Sequence, residues 1–346
     1  MAVLLLVYVL VAGMLVPLGP GIERVAPNSA QAGESLELHV LGYNTRFSGH
    51  DGRLRAWLKG NDDQALSAEG YEVEDDRSLR LRFALPEYLP SGRQVQDLTL
   101  IVESPGMGVA LLPSAVFVSQ DSVDIRAGQA LWSEGGLAGL QVSSGFTFPF
   151  RNILSETIRN TYFHVPLWFS MLFLFLGALV FSIRYLRHRR AIDDRKAVAL
   201  TKAGILFGLL GLLTGAIWAR FTWGAFWSWD IKQNMTAIGL LIYLAYFVLR
   251  NAFQEDQERQ ARLGAVYSIF AFATIIPLLY VIPRMTDSLH PGAGGNPAFG
   301  SQDLDNTMRL VFYPAVLGWT LLGFWIASLS YRAEEIKARL EERAWS

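Results

Sequence analysis

Trp223-Gly-Ala-Phe-Trp-Ser-Trp-Asp230 puts three of the ten tryptophans within seven residues and closes them with a carboxylate, with Lys232 just behind. On either side lie the charge-free runs 203–219 and 233–249. Each approaches the roughly 20 residues a helix needs to cross a hydrocarbon core about 30 Å thick. The octapeptide is therefore a loop at a membrane edge. Aromatic surface there either anchors in the headgroups or binds something flat and apolar. An anchoring belt is diffuse, whereas this cluster has fixed spacing and a charged end.

Further windows without Asp, Glu, Lys or Arg run over 2–22, 160–183, 263–283 and 310–331, which predicts six transmembrane helices in all. The 346 residues are 51% hydrophobic and 12% aromatic, in keeping with a membrane protein carrying some soluble mass. Six crossings leave both termini on one side. Basic residues concentrate after the second span (Arg184, Arg187, Arg189, Arg190, Arg195, Lys196), after the fourth (Arg250, Arg259, Arg262) and in the tail (Arg332, Lys337, Arg339, Arg343). The two short loops opposite hold only Arg220, Lys232, Arg284 and Arg309. Positive charge marks the cytoplasmic face, so the tryptophan loop is expected outside. The first span also reads as a signal peptide, but it lacks a basic n-region and a small-x-small cleavage site, so a retained anchor is expected.

Between the first two spans, short runs such as 36–41, 54–58, 79–84, 97–102 and 115–118 alternate apolar and polar residues between Gly, Pro, Asn and Asp. That pattern predicts an inserted all-β, Ig-like sandwich. The expected organisation is a first transmembrane helix at 1–22, an extracytoplasmic β-sandwich at 23–125, a surface connection at 126–159, a five-helix membrane domain at 160–331 and a cytoplasmic tail at 332–346. The fold class is thus mainly α, with a β insert.

Net charge is −1, which gives no reason to expect nucleic acid as a partner, and no phosphate-binding Gly-x-x-x-x-Gly-Lys-Ser/Thr run occurs. There is no cysteine, which excludes disulfides, iron–sulfur ligation and thioether-linked haem. Of five histidines, His39 and His50 fall in the β region without a ligand partner at useful spacing, and His188 belongs to a basic run. His164 and His290 differ. One opens the second span and the other follows the fifth, so both are predicted on the face of the tryptophan loop. Each alone reads as a hydrogen-bonded interfacial residue. Together, with indoles between them, they form the arrangement that bis-imidazole ligation of one haem requires, with Arg159 and Lys232 as cations for its propionates.

These residues carry a resemblance. Trp223-Gly-Ala-Phe-Trp-Ser-Trp-Asp230 is similar to the tryptophan-rich "WWD" signature of haem-handling proteins in cytochrome c biogenesis. Arg159…Tyr-Phe-His164-Val-Pro, six spans and a second outer histidine resemble the CcmC family in particular, over residues 155–331. The resemblance implies a haem-handling assembly factor, not an enzyme. Its Trp223, Gly224, Trp227, Trp229 and Asp230 would hold non-covalent, transient haem b ligated by His164 and His290. It further implies delivery to a CcmE-like chaperone, beside a CcmD-like small subunit and a CcmA–CcmB-like ABC transporter. Two departures stand out: the β insert, and Ile-Lys after Asp230 where many members have a small residue and Arg. Lysine is a point donor, not a planar fork. The rival readings are a cytochrome b-type electron-transfer subunit, a haem synthetase-type or CcmF-type WWD protein, and a surface-binding sandwich on a helical anchor. The first two are expected to carry histidines at membrane depth, and none beyond the outer pair is present.

Overall fold

The computed structural model describes residues 1–49, 53–60, 64–132, 137, 139–140, 145–290 and 304–344. His50 lies outside them. The chain forms two compact units, Val16–Glu156 on one hand and Met1–Leu15 with Thr157–Ser346 on the other.

The first unit is a two-sheet sandwich. Strands β1 (Gly21–Ala26), β2 (Ser29–Gln31), β3 (Ser35–Tyr43), β4 (Arg55–Lys59), β5 (Ala65–Ser67), β6 (Gly70–Val73), β7 (Ser78–Ala84), β8 (Val95–Ser104) and β9 (Gly108–Ser119) precede a short helix α2 (Ile125–Leu131). One sheet has the order β1-β3-β7-β6 and the other β2-β9-β8-β4-β5. Among the described strands, β2 pairs with β9 in parallel and the other strand-to-strand ladders are antiparallel. Alternation decides which face is buried: in β3, Leu36, Leu38 and Val40 point inward, while Glu37 and His39 face outward. Leu38, Leu81, Phe83, Leu58, Leu100 and Val116 share the resulting core. His39 is an exposed strand residue, 3.8 Å from Glu37.

Composition alone reads 126–159 as a connection. In the structure much of it is part of the β unit. Trp132 is buried in the sandwich core, and Leu137 and Leu140 pack on the outer patch formed by Trp57, Ala65 and Ile101. Phe148 bridges to Leu18, and Phe150 stacks on Tyr43 at 4.8 Å. Aromatic and leucine side chains in a Gly-rich stretch find burial on the nearest apolar sheet face.

The second unit contains α1 (Ala2–Leu15), α3 (His164–His188), α4 (Ala191–Trp223), α5 (Ile231–Asn251), α6 (Gln257–Ile276) and α7 (Asn306–Ala344). Among the described residues, five helical segments are long and apolar enough to cross a membrane: Ser155–His188, Ala191–Trp223, Ile231–Asn251, Gln257–Arg284 and Asn306–Lys337. The protein is a multi-pass membrane protein. The predicted first span of 2–22 is shorter in the structure, because Pro17 and Pro20 end α1 and β1 begins at Gly21. Its 14 residues span only ~21 Å. It lies antiparallel to α7, with Leu5 and Leu6 against Gly318 and the Tyr8 hydroxyl donating to the Leu310 carbonyl.

Helix α4 begins a dozen residues before the charge-free window. Asp193 and Asp194 sit in its first turn, where carboxylates suit the helix N-terminus. Asp193 pairs with Arg184 and Arg190, and Arg250 at the end of α5 donates to both oxygens of Asp194 at 2.7 and 2.9 Å. The two basic loops expected on one side therefore meet at one end of the bundle. The tryptophan loop is at the other end of α4. Beyond α6 the chain passes through a π-helical turn, Pro277–Val281, and a 3₁₀ turn, Ile282–Arg284, before reaching His290. Pro277 and Pro283 lack the N–H groups a continuous helix would use there.

Candidate functional site

The site is built on one bare face of α4. Gly204, Gly208, Gly211 and Gly215 recur at intervals of four, three and four, which aligns them along a helix. Each receives a side chain from α3. A methyl group at Gly204 would stand 2.4 Å from the Phe175 ring, at Gly208 2.9 Å from Met171 sulfur and 2.4 Å from Leu240 of α5, at Gly211 2.9 Å from the Trp168 indole and at Gly215 2.6 Å from Cε1 of His164. Phe175, Met171, Trp168 and His164 carry the same spacing in reverse, as two antiparallel helices require. Small residues that let backbones approach are the usual basis of close helix packing in membranes. Here they determine where an imidazole sits.

His164 is 8% exposed, and both ring nitrogens are engaged. The Thr214 hydroxyl donates to the Leu210 carbonyl at 2.9 Å, so its oxygen accepts from His164 Nδ1 at 3.0 Å. This assigns the proton to Nδ1 and the lone pair to Nε2. That lone pair accepts the Trp168 indole N–H at 3.1 Å. The rings of Trp168 and Trp218 stand edge-on to the imidazole at 5.8 and 5.7 Å. Trp218 is tied to the Thr157 hydroxyl at 3.1 Å.

Helix α4 ends at Trp223 because Gly224 adopts φ +83, the left-handed conformation of a helix C-terminus. Arg220 donates to the Gly224 carbonyl. The loop is then fixed to the first turn of α5. Asp230 caps that helix, accepting from Lys232 N–H at 2.9 Å, and Gln233 accepts from the Ser228 N–H and hydroxyl, both at 3.0 Å. Asn234 donates to the Trp229 carbonyl at 2.8 Å. Trp229 has φ +58, and its side chain is 78% exposed, so the helical body does not bury this indole. Trp227 meets it edge-on at 6.5 Å.

Asp230 also ties in the loop that follows α6. It accepts from His290 Nδ1 at 2.8 Å, from the Leu289 N–H at 2.8 Å and from the Ser288 hydroxyl at 2.9 Å. Partial burial works against its charge. The bonds from His290, Leu289 and Ser288 outweigh that and hold the carboxyl below the ordinary carboxylate range. A carboxylate on Nδ1 orients the ring and leaves the lone pair on Nε2, the usual support for a ligating histidine. Trp223 packs edge-on against His290 at 4.7 Å. Helix α4 thus touches both histidines, His164 through Thr214, Gly215 and Trp218, and His290 through Trp223. The last two contacts are five residues apart, ~7.5 Å along the helix.

The structure brings Trp223, Asp230 and His290 into one contact set, with Trp227 and Trp229 on the adjoining loop. Arg159, expected to serve propionates, donates to the Gly13 carbonyl in the last turn of α1 at 2.9 Å. Lys232 joins the site through its backbone bond to Asp230. Trp168, Trp218, Thr214, Ser288 and the four glycines were not singled out by sequence. Trp168, one turn after His164, and the 4-3-4 glycine spacing were visible signals.

The chain is thus a multi-pass helical bundle with two hydrogen-bonded imidazoles and a tryptophan loop beside it. The family model described as CcmC, Heme exporter protein C, matches residues 134–346, more than half of the sequence, and the chain belongs to that family. Strands β1 to β9 precede the matched region. The chain is 28% identical to Heme exporter protein C of Paracoccus denitrificans over 212 residues, 60% of this chain and 87% of that protein. It is 29% identical to the Bradyrhizobium diazoefficiens protein of the same name over 185 residues, covering 53% and 69%. With the Escherichia coli K12 protein the identity is 24% over 173 residues, 50% and 66% of the two chains.

Proposed function

We propose that this protein receives haem at the outer face of a bacterial inner membrane and hands it on for cytochrome c maturation, as a transfer factor and not an enzyme. The observation that carries the reading is the Asp230–His290–Trp223 assembly. A carboxylate fixes one nitrogen of a partly exposed imidazole, and an indole packs beside the ring. His290 and His164 are the axial ligands. Trp223, Trp227 and Trp229 supply apolar surface for the porphyrin, with Gly224 and Asp230 shaping their loop. Arg159 and Lys232 supply positive charge near the propionates. Haem is held as haem b, non-covalently, since there is no cysteine for a thioether bond.

When bound, haem is cargo. The protein's residues orient the two imidazoles, cover one porphyrin edge and leave the loop accessible. The receiver in this reading is a CcmE-like chaperone meeting the exposed indoles. A CcmD-like subunit and a CcmA–CcmB-like transporter complete the assembly. Affinity must be high enough to load and low enough to leave, so it is distributed over ligands, aromatic contacts and charge. Replacing Trp223, Trp227 and Trp229 together by Leu should leave membrane protein levels unchanged and reduce chaperone-bound haem by an order of magnitude or more. Both quantities are read side by side on gels and haem stain. Normal loading would reduce the loop to a lipid anchor.

The sidedness has its own test. With the termini inside, reporter fusions in the tryptophan loop and in the β unit should be active only as periplasmic reporters. A cytoplasmic reading at the loop would overturn the proposal.

A further inference from the structure

The two imidazoles are prepared alike at Nδ1 and differently at Nε2. His290 donates to Asp230 from Nδ1, and its ring is partly exposed. His164 donates to Thr214 from Nδ1, but its Nε2 lone pair is taken by the Trp168 indole N–H at 3.1 Å. Trp168 is one helical turn along α3 and is seated over Gly211, where an added methyl would lie 2.9 Å from the ring. The indole is thus held against the nitrogen that a metal would need.

We infer that Trp168 is a latch, which competes with haem iron for Nε2 of His164 and lowers the affinity of that ligand so that haem can leave. This rests on the proposed haem role of the two histidines. The exchange moves no proton. The indole keeps its hydrogen, His164 keeps its proton on Nδ1, and only the partner of the Nε2 lone pair changes. His290, whose ring is partly exposed and carries no such indole bond among the described residues, is the first ligand on loading and the last on release. Trp168 is a positioning residue acting through His164.

The net worth of one hydrogen bond sets the size of the effect, about two- to tenfold in an equilibrium. Trp168→Phe keeps an aromatic ring over Gly211 and removes the N–H. In the full-length protein in detergent, competition with apomyoglobin should show haem held about two- to tenfold more tightly than by wild type. The share of low-spin haem with both imidazoles bound should rise. Thr214→Val should move affinity the other way, because it removes the acceptor that fixes the His164 tautomer. In a His164→Ala background, Trp168→Phe should have no effect. Unchanged or weaker haem binding in Trp168→Phe, or an effect that persists without His164, would overturn the latch alone. If wild type binds no haem, or binds it independently of His164, the proposed function fails and the latch fails with it.

Discussion

Exchanging both His164 and His290 for Ala is expected to strip haem from the purified protein, with either single change causing most of the loss. The two imidazoles approach the site from different elements, one from a groove between helices and one from a loop held by a carboxylate. Neither can replace the other. Each single variant should lose the low-spin absorption of a two-imidazole site, because one axial position is then vacant or filled by a weaker donor. His39→Ala and His188→Ala provide the comparison. His39 is an exposed strand residue in the other unit, and His188 closes α3 at the far end of the bundle. Their haem content should equal that of wild type. Full haem retention in the double variant would eliminate the assignment of ligands.

The second large effect is expected at Asp230. This one carboxylate caps α5, positions His290 and ties down Ser288 and the Leu289 N–H. Loss of a helix cap costs about 0.5–2 kcal/mol, which a bundle of this size tolerates. Loss of a carboxylate behind a metal-ligating histidine typically lowers affinity about 10- to 100-fold. Asp230→Ala should therefore accumulate in the membrane and bind haem 10- to 100-fold more weakly. Asp230→Asn separates the two roles, since asparagine caps as well as aspartate but brings no charge to His290. An intermediate haem affinity with wild-type stability is expected there. Equal affinity in all three proteins, measured by haem titration, would mean that His290 needs no such support.

The strands were legible because a half-buried sheet writes its period directly into the sequence, as Leu36, Leu38 and Val40 do in β3. The spans were legible for the same kind of reason, but their ends were not. A charge-free window ran past Pro17 and Pro20 at α1, where geometry and not polarity stops the helix. At α4 it began too late, because Asp193 and Asp194 belong inside the first turn. For the site, His164, His290 and the tryptophan loop stood out by type and spacing. The Asp230–His290 bond did not, since it joins residues 60 apart with α5 and α6 between them. Nor did the Trp168–His164 bond, because nothing in one strip of sequence tells which nitrogen of an imidazole a neighbouring indole will reach.

The bare face of α4 has a consequence for how the protein must assemble. Four glycines, at positions where a methyl would clash, forgo about 0.5–1 kcal/mol each of intrinsic helix preference relative to alanine on the scale measured in water. A segment so composed is a poor helix by itself. It becomes a good one when another helix lies against it and its exposed backbone is covered. The seat of His164 and the pairing of α3 with α4 are then a single event in maturation. Until those two helices have closed on each other, the chain has no groove in which that imidazole can be held.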